Sequence, residues 1–235
     1  MSARGKFIAL EGIDGSGKRT QLQMLSRALD DRGVAHITVS FPHYDGFFGR
    51  MAAQYLNGEF GSLSEVDAHF SALLYAGDRL ENKRELERNL AQGKIVLTDR
   101  YIGSNLAHQG ARVPPRELAG FLRWLEHLEY GVYGLPREDL VIYLRVPTAR
   151  AHQLIAKKGA RTYTRRRRDM QEASLAHLNA ASNVYARLAK RRNWAAIECT
   201  DRGGQELLAP EIIHREVMGV VERRVLRNLR RSGKS

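Results

Sequence analysis

Between residues 12 and 18 the chain reads GIDGSGK, a spacing with a physical meaning. Two glycines five positions apart, followed at once by lysine, let backbone N–H groups close around an anion while an ammonium reaches its far side. Gly12, Ile13, Asp14, Gly15, Ser16, Gly17 and Lys18 are therefore candidate ligands for the phosphates of a nucleotide such as ATP, with Lys18 serving the outer two. Arg19 follows, where a serine or threonine hydroxyl normally touches Mg2+, and a guanidinium has no acceptor and the wrong sign. Either the nucleotide-bound metal is held through water, by Thr20 or by a carboxylate elsewhere, or the loop has lost metal-dependent chemistry. The first reading is preferred, and Mg2+ with ATP is the one cofactor expected.

A second group of chemistry-bearing residues ends another apolar run: Asp99 and Arg100, in VLTDRY. Moving a phosphoryl group onto a phosphate acceptor requires no nucleophile from the protein, since the acceptor is already anionic. The obstacle is repulsion between donor and acceptor oxygens, which cations and positioning overcome. Lys18 and Arg100 are suited to that task, and Asp99 could orient Mg2+ or its waters. A third group, residues 157–168 (KKGARTYTRRRR), lacks apolar periodicity and reads as a loop or a short basic lid, and a lid would desolvate the phosphates on closing.

Such residues need a rigid frame. Five β-branched runs, at 6–11, 34–40, 94–99, 139–146 and 194–200, alternate with helical patterns. Near-continuous apolar strands between helices predict an α/β fold around a parallel sheet buried on both faces, with ligands at the carboxyl ends of the strands. Leu22, Leu25 and Leu29 share one helical face that Gly33 closes. Ser64 is expected to open a long helical stretch ending at Gly93, Pro114 and Pro115 another, and Asp169 another. Residues 1–235 are read as a single domain with a basic tail at about 226–235.

Composition narrows the function classes. No apolar run approaches the ~18 residues of a membrane helix, the N-terminus lacks a secretory pattern, and one cysteine, Cys199, supports no disulfide framework. A cytoplasmic protein with no membrane partner is expected. The net charge of +12 is concentrated: 157–168 holds seven basic residues and no acid, and 222–234 six basic residues and one acid. The remainder is neutral, which suits local anion capture and makes nucleic acid an unfavoured partner.

Taken together, EGIDGSGKRTQ at 11–21, LLYAGDR at 73–79, DRYIGSNLAHQG at 99–110 and GLPREDL at 134–140 resemble the thymidylate kinase family. The match spans about residues 5–200, with four motifs in the right order. The resemblance implies the P-loop NTPase fold, strand order 2-3-1-4-5, phosphorylation of dTMP by ATP, and a homodimer. It implies that Arg100 bridges donor and acceptor phosphates and that Asp14 receives the sugar 3′-hydroxyl. Tyr75 would stack on the pyrimidine, Arg79 bond its edge, and Ser104 and Gln109 complete the base contacts, with Phe41 and Pro42 in the adjoining FP segment. Some members carry a basic residue after the loop aspartate. Here that residue is Gly15, so the lid must supply it, with Arg161 assigned to ATP and Arg165 to catalysis.

Several positions depart from the pattern. His43 and Tyr44 stand where an arginine usually meets the acceptor phosphate, and Arg50 is the expected substitute. His108 replaces a tyrosine associated with rejecting the ribose 2′-hydroxyl, and Glu138 replaces a proline. The rivals are another pyrimidine monophosphate kinase, for dUMP, UMP or CMP, and a basic nucleic-acid-binding protein without turnover.

Overall fold

The five runs become five strands of one sheet: β1 (Phe7–Glu11), β2 (His36–Ser40), β3 (Ile95–Asp99), β4 (Leu140–Arg145) and β5 (Trp194–Glu198). The computed structural model describes residues 4–62, 65–158, 175–204 and 206–227. All strand pairs are parallel, in the order β2-β3-β1-β4-β5. Every residue of β1 is buried, as an apolar central strand covered on both faces requires. Leu10 lies opposite both Asp99 and Ile142, so Glu11 and Asp99 end at the same rim of the sheet. The phosphate loop leaves from that rim.

The loop enters α1 (Lys18–Asp30) through Gly17, whose φ of 85° is open to glycine at little cost and whose missing side chain leaves the first N–H groups uncapped. Leu22, Leu25 and Leu29 bury the inner face of this helix. After β2 come α2 (Phe47–Leu56), α3 (Ala68–Glu81) and α4 (Lys83–Ala91). The expected single stretch up to Gly93 is thus two helices. Asp67 caps α3 by accepting from the His69 and Phe70 amides, and the chain breaks at Asn82, whose side-chain amide turns back to the Asp78 carbonyl at 2.8 Å. Ser64, the start expected, lies outside the described residues.

Beyond β3, α5 (Ile102–Gly110) is buried along its whole length. Pro114 and Pro115 form a turn before α6 (Leu118–Glu126), which widens into a π turn over His127–Val132. A π turn inserts one residue into the helical register, and this one leaves Glu129 fully buried. The last helices are α7 (Thr148–Lys158), α8 (Leu175–Leu188) and α9 (Pro210–Val221), with α9 also ending in a π turn, Glu222–Leu226. The helix start expected at Asp169 lies outside the described residues. Val225 and Leu226 pack into the core, and residues 228–235 of the expected basic tail lie outside the described residues.

Candidate active site

Lys18 is pulled into its own loop. Its ammonium donates to the carbonyls of Gly12 and Ile13, both at 2.9 Å, and burial, with the like charge of Arg100 added, lowers its pKa to about 8. An arriving phosphate would replace two carbonyl dipoles with full negative charge. Gly15 is packed against α7: a Cβ there would stand 2.4 Å from the Ala151 carbonyl oxygen, and its φ is 81°. A side chain here would be strained and would require the Ala151 backbone to shift, so the position disfavours a basic residue after Asp14.

Arg100 follows β3 at the rim, with φ of 68°. Its Nη2 is ion-paired with Asp14, and its Nη1 donates to Ser104 Oγ at 3.0 Å and to His108 Nε2 at 3.3 Å. A guanidinium only donates, so His108 Nε2 accepts and the proton of this ring sits on Nδ1, 3.3 Å from His177 Nε2. Burial and then the charge of Arg100 push His108 well below the usual histidine range, and burial and then Arg112 bring His177 down to about 4. Both imidazoles are neutral at pH 7. His177 is therefore tied, through His108, to the arginine at the rim. The tie depends on a spatial neighbour 69 residues away and leaves no local signal.

Beside Arg100 opens a cavity. Its walls include Asp14, Phe41, Pro42, Tyr75, Arg79, Arg100, Ser104, His108 and Gln109, so residues spread over nearly a hundred positions meet in one place. Tyr44, Leu56, Tyr101 and Asn105 complete it. Arg79 is held from behind by Glu129, through Nε at 2.5 Å and Nη2 at 2.7 Å, with side chains only 3% and 0% exposed. Asn105 donates from Nδ2 to the Ala72 carbonyl at 3.0 Å and to Glu129 at 2.9 Å, which fixes the amide and leaves its buried Oδ1 without a partner. Gln109 accepts from Ser71 and Arg112, both at 2.9 Å. Asn105 and Glu129 were not singled out in the sequence. Asn105 lies inside the DRYIGSN motif that carried the resemblance, whereas nothing local marks Glu129.

Some expected residues are not brought to this cavity. Arg50 is exposed on α2 and donates to the Asp45 carbonyl at 2.6 Å. Its place is determined by α2 packing on α3, which turns this position outward. Arg19 and Thr20 are exposed in the first turn of α1, next to a buried Lys18. Arg161 and Arg165 lie outside the described residues, as does most of the expected lid.

Among the described residues no group of three His, Cys, Asp or Glu could hold a metal ion by itself. Asp99 offers a buried carboxylate oxygen, Oδ1, without a hydrogen-bond partner. One orphaned carboxylate beside a phosphate loop suits an Mg2+ that arrives bound to nucleotide, because this ion keeps waters and takes one or two protein oxygens. Among the described residues no helix is long and apolar enough to cross a membrane.

Comparison with known proteins points one way. A family model described as thymidylate kinase matches residues 10–208. The thymidylate kinase of Mycobacterium tuberculosis is 32% identical over 184 residues, covering 78% of this chain and 85% of the relative. A probable thymidylate kinase of Pyrobaculum calidifontis is 31% identical over 227 residues, covering 96% of this chain and 100% of the relative. Among solved structures, that of thymidylate kinase from Candida albicans superposes with a TM-score of 0.74 at 20% identity, covering 95% of this chain and 93% of the other, which supports the fold.

Proposed function

The chain belongs to the thymidylate kinase family, and from that premise we propose that it transfers the γ-phosphoryl group of ATP to dTMP, giving ADP and dTDP. The observation that carries this reading is Arg100, whose guanidinium stands between the phosphate loop and the cavity lined by Phe41, Tyr75 and Arg79. ATP phosphates occupy the loop from Gly12 to Lys18, and the acceptor phosphate approaches Arg100. Lys18 and Arg100 offset the repulsion between the two anions as charge shifts in the transition state. Asp14, now paired with Arg100, turns to the sugar hydroxyl once phosphate takes its place beside the guanidinium.

The cavity also reads the base. Arg79 can only donate, and the fixed amide of Asn105 presents an acceptor oxygen. Donor beside acceptor matches the carbonyl at C4 and the N3–H of thymine or uracil. It mismatches cytosine, whose edge has the opposite order. Phe41, Pro42 and Leu56 give the C5 methyl an apolar surface, worth about 1–3 kcal/mol against uracil. Tyr75, half-buried and edge-on to Tyr55 at 6.4 Å, is available for stacking.

Mg2+ bound to ATP would be held by Asp99, directly or through water, with Thr20 within the first turn of α1 as a further oxygen. There it would neutralise phosphate charge and help align the oxygens. The basic segment with Arg161 and Arg165 supplies the remaining cations, in keeping with the strain a side chain would meet at Gly15. Two copies pair in solution, supported by Phe70, Leu73 and Leu80, all exposed on α3. A cytoplasmic setting fits the lone, buried Cys199.

The test is ADP release with ATP and Mg2+ across dTMP, dUMP, UMP and CMP. The expected kcat/KM for dTMP exceeds that for dUMP about tenfold or more and that for CMP by still more. Lys18→Ala and Arg100→Ala should each reduce turnover at least tenfold, about 1.4 kcal/mol of barrier. Preference for UMP or CMP, or full activity in both variants, would overturn the assignment.

A further inference from the structure

Arg100 occupies a backbone conformation that side chains disfavour, and something must hold it there. The following helix, α5, has no side-chain cap of its own at Tyr101. The cap comes from another strand. Glu11, the last residue of β1, accepts the amide protons of Tyr101 at 2.8 Å and of Ser104 at 3.0 Å through Oε1. Its other oxygen, Oε2, accepts from Ser104 Oγ at 2.6 Å and lies 2.9 Å from the Tyr185 hydroxyl on α8. Glu11 is completely buried, and no arginine or lysine forms an ion pair with it among the described residues. A buried carboxylate is costly, and this one is stabilised by four N–H and O–H donors together with the nearby positive charges of Lys18 and Arg100.

One consequence concerns the Ser104 hydroxyl. Because its proton is directed to Glu11, its lone pairs are left for Arg100 Nη1 at 3.0 Å. A single carboxylate thus fixes both the backbone that follows Arg100 and the side chain that holds its guanidinium. We propose that Glu11 is a positioning residue for phosphoryl transfer, acting on Arg100 through Ser104 and the start of α5, with Tyr185 completing the arrangement. The proposal rests on Arg100 bridging the two phosphates, as argued above.

Glu11→Gln tests it most directly. The amide is nearly isosteric, but its NH2 end must face two donors on one side or the other, so Ser104 must redirect its proton or α5 loses its cap. The expected result is a fall in kcat of at least thirtyfold, with KM for ATP and dTMP within threefold of the parent enzyme. A structural role alone would not reproduce the next result. In an Arg100→Ala background, measured by single turnover, Glu11→Gln should cost less than threefold further. If Glu11→Gln proves insoluble, Tyr185→Phe takes its place, with an expected fivefold or greater loss of kcat that likewise disappears when Arg100 is alanine. Equal losses in both backgrounds, or an unchanged kcat, overturn the proposal. An inactive parent enzyme would instead defeat the kinase reading, so the two failures are distinct.

Discussion

Glu129→Leu removes the carboxylate behind Arg79 and leaves a guanidinium almost entirely enclosed. Two hydrogen bonds of 2.5 and 2.7 Å disappear, together with the 2.9 Å bond that anchors Asn105. Breaking one partner of a buried ion pair typically costs about 3–5 kcal/mol, because the remaining charge has been taken from water without compensation. The exposures here, 3% and 0%, place the pair at the full-cost end of that range. For a chain of this length each kcal/mol moves Tm by roughly 2–4 °C, so a loss of about 5 kcal/mol lowers Tm by roughly 10–20 °C. The assay is thermal unfolding of the parent, Glu129→Leu, Arg79→Met and the double variant at pH 7. The double variant should recover to within about 1 kcal/mol of the parent, since two apolar side chains of similar volume need no pairing. It should nevertheless have lost discrimination between dTMP and CMP, because the donor that reads C4 is gone. A Glu129→Leu protein within about 1 kcal/mol of the parent, or a double variant as unstable as the sum of the singles, would refute the reasoning.

Lys18 couples stability to pH. Its folded pKa of about 8 lies below the unfolded value of 10.5, so between these values the unfolded chain binds more protons and stability rises with pH. The cost is fully present below pH 8, amounts to roughly 3 kcal/mol, and is relieved as pH climbs to 10.5. Urea unfolding at pH 7.5, 9 and 10 should show this gain in the parent relative to Lys18→Met, and parallel curves would count against it. Asn105→Ala should raise KM for dTMP at least tenfold and leave KM for ATP unchanged in steady-state assays; an unaltered dTMP KM refutes the acceptor role. Gly15→Arg restores a basic residue to the loop but meets the Ala151 carbonyl. It should abolish ATP binding by calorimetry, whereas retained binding would show that α7 can retreat.

Much of the site was readable in one dimension because phosphate binding is a backbone property. The spacing from Gly12 to Lys18 and the strand before it determine where N–H groups converge, and Asp99 and Arg100 follow from the end of a recognisable apolar run. The strands were legible for a related reason, since β1, β3 and β4 are buried on both faces and carry unbroken apolar runs. The cavity beside Arg100 was only partly legible. Tyr75, Arg79 and Gln109 came with their motifs, but Arg50 did not follow, since helix packing, not sequence proximity to FP, decides which face of α2 meets the cavity. Glu129, Glu11 and His177 became visible only in three dimensions. Each acts on a residue 50, 93 or 69 positions away, and a buried hydrogen bond depends on the direction of two side chains, which no local pattern encodes. The sequence therefore determined the kind of chemistry and its backbone cradle. Tertiary packing decided which polar groups are left without partners for the substrate to satisfy.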